Sequence, residues 1–160
     1  MMEGVKMSSL KESQKDDVKK LKHLGSKETN YVYDSPNAGM LETFENKYPK
    51  NDYQIFLEFD EWTSLCPRTG QPDFAHIEIR YTPKKKCVET KSLKLYFFAY
   101  RNYGTFMETA TNKIKEDLVE VLKPSFLSVH SKFKTRGGIN LNVFCQYDEE
   151  EEIENDKHNS

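Results

Sequence analysis

Apolar and polar positions along the chain change period in an order that outlines a fold. From Tyr53 to Phe59 they alternate, with Tyr53, Ile55, Leu57 and Phe59 on one side. That is the period of a strand, and Phe56 on the opposite side suggests that its second face is partly covered as well. A second alternating run, Phe74 to Tyr81, sets Ala75, Ile77, Ile79 and Tyr81 against His76, Glu78 and Arg80. The spacing then lengthens to that of a helix over about 91–102, with Leu93, Tyr96, Phe97 and Tyr100 on one side, Thr90 as its cap and Gly104 as its stop. A second helical run, about 106–122, buries Ala110, Ile114, Leu118, Val121 and Leu122 and ends at Pro124. Alternation returns at Leu127, Val129 and Phe133, and again at Ile139, Leu141, Val143 and Cys145, across the turn Thr135-Arg136-Gly137-Gly138. Two strands joined this way predict a hairpin. The order strand, strand, helix, helix, strand, strand predicts an α+β fold: a four-stranded antiparallel sheet with two helices on one face.

Composition sets limits on this picture. With 160 residues, 36% of them hydrophobic, the chain has material for one domain with a core and not for two. No apolar run has membrane-spanning length and the N-terminus lacks the apolar core of a secretory signal, which points to a cytoplasmic protein without a membrane partner. Residues 1–23 form a Lys-rich arm expected to be disordered, residues 24–147 the domain, and residues 148–160 an acidic tail also expected to be disordered. The tail holds seven acids and one lysine, a net −6 that leaves about +4 for the rest of a chain whose total is −2. A mildly basic body suits a phosphorylated ligand. The clusters Lys19-Lys20-Leu21-Lys22 and Lys84-Lys85-Lys86 are simplest as solvated charge, and no direct nucleic-acid contact is expected.

The candidate chemistry lies between the first two strands. Cys66 is followed by Pro67-Arg68-Thr69-Gly70-Gln71-Pro72 and then Asp73, a thiol and a carboxylate placed by a Pro- and Gly-pinned loop. A thiolate attacks electrophilic carbon when a neighbour lowers its pKa, and a nearby acid can manage the proton. The same residues suit a packing cysteine and a turn-capping acid, and local pattern leaves both open. The three cysteines, Cys66, Cys87 and Cys145, show no C-x-x-C pair and no zinc spacing, so no metal site is expected. No G-x-G-x-x-G follows a strand, which argues against a Rossmann cofactor mode.

The run Thr63-Ser-Leu-Cys66-Pro-Arg-Thr-Gly-Gln-Pro-Asp73-Phe-Ala, with Glu89-Thr-Lys91-Ser-Leu-Lys94-Leu-Tyr96 beyond it, resembles the QueF family, the NADPH-dependent nitrile reductases that act on 7-cyano-7-deazaguanine in queuosine biosynthesis. The likeness covers about 24–143 and is to the short, single-module branch. It implies the tunnelling fold (T-fold), whose sheets join into a multi-subunit barrel, here a homo-oligomer of two stacked pentamers with active sites at subunit interfaces. It also implies an oxidoreductase that converts the nitrile to 7-aminomethyl-7-deazaguanine through a cysteine thioimide, for tRNA modification. By that resemblance Cys66 is the nucleophile and Asp73 the general acid. Val88, Glu89 and Thr90 bind substrate together with Met107 and Glu108, and Glu108 pairs with the ring's N–H edge. Lys91, Arg136 and Gly137 contact NADPH. Two positions depart from the family: Thr90 stands where serine is usual, and Met107 where a histidine is usual, a thioether that moves no protons at neutral pH. Two other functions fit the same scaffold, an amidinotransferase acting on a nitrile-bearing tRNA and a noncatalytic deazapurine-binding protein. The retained Lys91-to-Tyr96 signature speaks against the first, and Cys66 with Asp73 against the second.

Overall fold

A computed structural model describes residues 31–158, so the Lys-rich arm over 1–23 lies outside the described residues. The elements run β1 (Thr43–Glu45), β2 (Ile55–Leu65), β3 (Pro72–Thr82), β4 (Lys86–Val88), α1 (Thr90–Phe98), α2 (Met107–Leu122), β5 (Phe126–Phe133), β6 (Asn142–Asp148) and α3 (Glu149–His158). The long strands form one antiparallel sheet in the order β2-β3-β5-β6, and β1 pairs with β4 in a separate ribbon. The expected strand and helix order stands, with the ribbon and α3 added to it.

The sheet buries the face that alternation predicts. Ala75, Ile77, Ile79 and Tyr81 of β3 and Leu127 and Val129 of β5 are buried with Leu93, Tyr96 and Phe97 of α1, Tyr100 just beyond its end, and Ala110, Ile114 and Leu118 of α2. Burial of these apolar side chains is the main stabilising term. A buried polar group fixes one helix on the other. Tyr96 Oη donates to Asp117 Oδ2 at 2.7 Å, Tyr100 Oη lies 2.9 Å from Tyr96 Oη, and Lys113 reaches Asp117 at 2.9 Å. Paired in this way, a buried carboxylate need not be left unsatisfied.

Several boundaries differ from the sequence reading. The first strand continues to Leu65 rather than ending at Phe59, because its register with β3 shifts between Phe59 and Trp62. That bulge inserts an extra residue, so Trp62 and Ser64, not Glu61 and Thr63, face the core. Helix α1 starts at Thr90 and is capped by Glu89, whose carboxylate accepts from the Lys91 and Ser92 backbone N–H groups, in place of the expected Thr90 cap. It ends at Phe98, short of Asn102. Helix α2 ends at Leu122 with Lys123 in left-handed backbone at φ 46° before Pro124. In the last hairpin Ile139 and Leu141 fall in the connection, ahead of β6. The acidic segment taken for a disordered tail is helical from Glu149 to His158, and Lys84 pairs with Glu149 at its start.

The other face of the sheet carries polar and aromatic side chains. Phe56, Phe74 and Phe144 are exposed there, and Arg80 stacks over Phe56 and Phe126. Glu78 sits between His76, His130 and Lys132, and Asp60 bonds His76.

Candidate active site

The nucleophile loop is closed by its own backbone. Cys66 N–H donates to the Gln71 carbonyl at 2.8 Å, and the Cys66 carbonyl accepts from Gly70 N–H at 2.9 Å. Gly70 has φ 69°, the left-handed region that only glycine enters without strain. One residue earlier, Leu65 is tied to the segment between the helices: its N–H donates to the Tyr103 carbonyl and its carbonyl accepts from Thr105 N–H, both at 3.0 Å. The two segments pack closely at Gly104, where a Cβ would come into van der Waals contact with Pro67 Cα at 3.4 Å. The start of α2, with Met107 and Glu108 in its first turn, is therefore fixed beside Cys66.

The opposite wall comes from the β5–β6 turn. Arg136 and Ile139 exchange backbone hydrogen bonds at 3.1 Å around Gly137 and Gly138, which have φ of 57° and 78°. Two successive left-handed residues are what a two-residue hairpin loop of this kind requires. The turn aims the Arg136 guanidinium inward, and Nη1 donates to Asp73 Oδ1 at 2.7 Å. Asp73 is 4% exposed and Arg136 38% exposed as side chains, so the pair spans the boundary between core and cleft.

These walls enclose a cleft of about 230 Å³ lined by Cys66, Asp73, Met107, Glu108, Lys134 and Arg136, with Pro67, Phe106, Ile139 and Leu141 as apolar surface. The electrostatics suit a nucleophile. The Cys66 thiol is drawn down from its ordinary range to about 7, chiefly by the Thr69 hydroxyl. The backbone N–H groups of Thr69 and Arg68 add to this, as does Arg136, and burial opposes it. Asp73 is shifted the other way: burial raises it above the usual carboxylate range, against the pull of Arg136. A thiol ready to ionise and a carboxyl biased toward holding a proton share one small, half-apolar space.

Of the residues singled out from sequence, the structure brings Cys66, Asp73, Met107, Glu108 and Arg136 to this cleft, with Gly137 in the turn beside it. Val88, Glu89, Thr90 and Lys91 do not line it. Val88 is buried with its N–H on the Tyr81 hydroxyl, Glu89 caps α1, Thr90 borders a separate apolar groove beside β2, and Lys91 is exposed. Sequence reasoning missed Thr69 and Lys134. The first carried a usable signal, a hydroxyl in the Thr-Gly turn beside the cysteine, while Lys134 reads as an ordinary outward strand residue. Among the described residues, one group of possible metal donors comes together, Glu58, His76 and Glu78, on the other face of the sheet. No helix among them is long and apolar enough to cross a membrane.

Comparisons with known proteins bear on this cleft. The sequence pattern of the family described as QueF-like protein matches residues 72–152. A Streptococcus thermophilus protein named NADPH-dependent 7-cyano-7-deazaguanine reductase is 52% identical over 136 residues, 84% of this chain and 82% of that protein. Proteins with the same name from Bacillus cytotoxicus and Nitrosomonas eutropha are 48% identical over 133 residues and 55% identical over 107. The former match covers 82% of this chain and 79% of its relative, the latter 67% and 77%. The fold is similar to that in the crystal structure of the archaeosine synthase QueF-Like in the apo form, with a TM-score of 0.56 at 18% identity, covering 61% of this chain and 95% of that one. That likeness is one of fold.

Proposed function

The chain belongs to the family of QueF-like proteins, and from that premise we infer that it reduces the nitrile of 7-cyano-7-deazaguanine to an aminomethyl group with NADPH, using Cys66 and Asp73. The observation that carries the assignment of these two residues is their meeting in one cleft, the thiol lowered to about 7 and the buried carboxyl raised.

A nitrile is a poor hydride acceptor. Cys66 Sγ adds to its carbon, and the nitrile nitrogen takes a proton through Asp73, giving a thioimide whose C=N bond can be reduced. Glu108, at the head of α2, accepts from the ring N1–H and exocyclic amine with its two carboxylate oxygens, a bidentate match that fixes the nitrile over sulfur. Met107 packs against the ring and contributes no proton, which leaves Asp73 as the donor at the reacting end. NADPH supplies the two hydrides. The residues present fit such a cofactor: Lys134 and Arg136 are cations on the cleft wall, and a Cβ at Gly137 or Gly138 would meet nothing within 4 Å, leaving the turn open to an approaching phosphate.

Val88, Glu89, Thr90 and Lys91 act from a second copy of the chain. None of them lines this chain's own cleft, Thr90 borders a groove beside the edge strand β2, and an 11-residue edge strand is a template for pairing. A ring of copies, two pentamers in the expected assembly, would complete each site with its neighbour's segment. We place the reaction in the cytoplasm, in queuosine biosynthesis.

The test is NADPH oxidation by the purified protein with 7-cyano-7-deazaguanine. Loss of two NADPH per amine is expected, absent without the nitrile. Cys66→Ala should form no adduct, and Asp73→Asn should bind substrate but turn over at least 100-fold more slowly, in the range typical of a lost acid. No oxidation by folded protein would overturn the reductase reading, and normal turnover in either variant would remove that residue from its role.

A further inference from the structure

The position of Arg136 poses a chemical problem that the reductase reading alone does not solve. Its guanidinium is bonded to Asp73 Oδ1 at 2.7 Å and pulls the carboxyl toward its ionised form, while burial pulls it toward the neutral one and prevails in direction. As long as the guanidinium stays, it opposes the uptake of the proton that Asp73 would have to give. Yet the proton balance of the reaction is specific. Addition of the Cys66 S–H across C≡N moves one proton from sulfur to nitrogen, with no net uptake. Hydride plus a proton then gives an amino thioether. Cleavage of its C–S bond returns the electron pair to sulfur and a proton from nitrogen follows it, leaving an imine. A second hydride plus a second proton gives the amine. Each hydride therefore needs one proton from solution.

The charged groups facing Cys66 and Asp73 are few. Glu108 approaches from α2, and Lys134 and Arg136 from the β5–β6 turn, while the loop that holds Cys66 contributes only the uncharged backbone N–H groups of Arg68 and Thr69. Lys134 lies over the Phe74 ring at 5.8 Å from its centroid. Arg136 is bonded at its functional end to Asp73 and also acts on the Cys66 thiol, and its backbone sits in a glycine turn with open space around it. Lys134 and Arg136 are the cations lining the cleft, so a cofactor phosphate entering on this side would meet the Arg136 guanidinium.

We propose that Arg136 couples cofactor arrival to proton loading of Asp73: the guanidinium opposes protonation of the carboxylate until a cofactor phosphate takes its place as partner, and the released, buried carboxylate then picks up the proton that the incoming hydride requires. Arg136 is in this sense a positioning residue acting through Asp73. The idea rests on the reductase reading above. It accounts for the stoichiometry, one proton loaded for each cofactor bound, and for the burial of the acid, which favours its neutral form once the cation leaves.

The experiment is calorimetric titration of NADP+ into the full chain, in two buffers of different ionisation enthalpy, between pH 6 and 8. NADP+ permits binding without turnover. Uptake of up to about one proton per NADP+ is expected in the wild type. Asp73→Asn should abolish it, and subtracting that variant removes any protonation of the cofactor's own phosphate. Arg136→Lys, which keeps the charge, should retain it. Without cofactor, Arg136→Gln should raise the pH midpoint of Cys66 alkylation by iodoacetamide. Binding of NADP+ with no proton uptake, equal uptake in Asp73→Asn, or no binding at all would overturn the coupling. If the same preparation oxidises NADPH with the nitrile, only the coupling has failed; if it does not, the reductase reading has failed as well.

Discussion

Thr69 is the residue whose contribution to the site is easiest to isolate. Its hydroxyl is the largest influence lowering the Cys66 thiol, ahead of the backbone N–H groups and of Arg136. Removing it takes away the bond from Gln71 N–H to the Thr69 hydroxyl at 3.3 Å but leaves the Cys66–Gln71 and Gly70–Cys66 backbone bonds that close the loop. Thr69→Val should therefore raise the pH midpoint of Cys66 alkylation above about 7 and slow alkylation at neutral pH, while it converges with wild type in alkaline solution. An unshifted profile would show that the backbone alone activates the thiol. Glu108→Gln tests the proposed ring contact: an amide keeps one acceptor and loses the charge, so KM should rise about tenfold or more with a smaller change in kcat. At this scale the sequence was informative about chemistry and silent about partnership. Cys66 and Asp73 are seven positions apart and visibly joined by one loop. Arg136 and Asp73 meet across a separation of 63 residues, which no local pattern encodes.

Among the elements, alternation located the buried faces correctly and misjudged where they end, for identifiable reasons. The β2 bulge breaks the period at Asp60-Glu61, so an alternating template stops at Phe59 although pairing with β3 continues to Leu65. Glu89 outcompetes Thr90 as cap because its longer side chain reaches two N–H groups at once. The ribbon of β1 and β4 has three residues in each strand, too few for a period to register. Helix α2 ends on a left-handed lysine at φ 46°, a backbone state that costs a residue with a Cβ about 1–2 kcal/mol. Lys123→Gly should relieve most of that, offset partly by the greater freedom of glycine in the unfolded chain. A net gain of roughly 0.5–1 kcal/mol in urea unfolding is the expected result. Loss of stability would mean that the lysine side chain contributes packing that outweighs the strain.

For the whole molecule, the arrangement of charge and edge matters more than the core. Helices cover one face of the sheet, while β2 and β6 lie at its margins and exposed Phe56, Phe74 and Phe144 stand on the other face. Sedimentation should find a multimer at micromolar concentration, and a charged substitution at Phe56, exposed on edge strand β2, should shift it toward smaller species with loss of turnover. Full activity in a monomer would remove Val88 to Lys91 from a shared site. A last consequence concerns rigidity. Because Leu65 is stitched to Tyr103 and Thr105, the wall that carries Cys66 and Glu108 is held as a unit, and a change on either segment is felt by the other. The facing wall hangs from two strand ends by a glycine turn and is tied to β3 by Lys134 N–H on the Phe74 carbonyl and by Arg136 on Asp73. Insertions or exchanges that spare those two ties, at Gly138 to Ile139, would reshape the cleft while leaving Cys66 where it is.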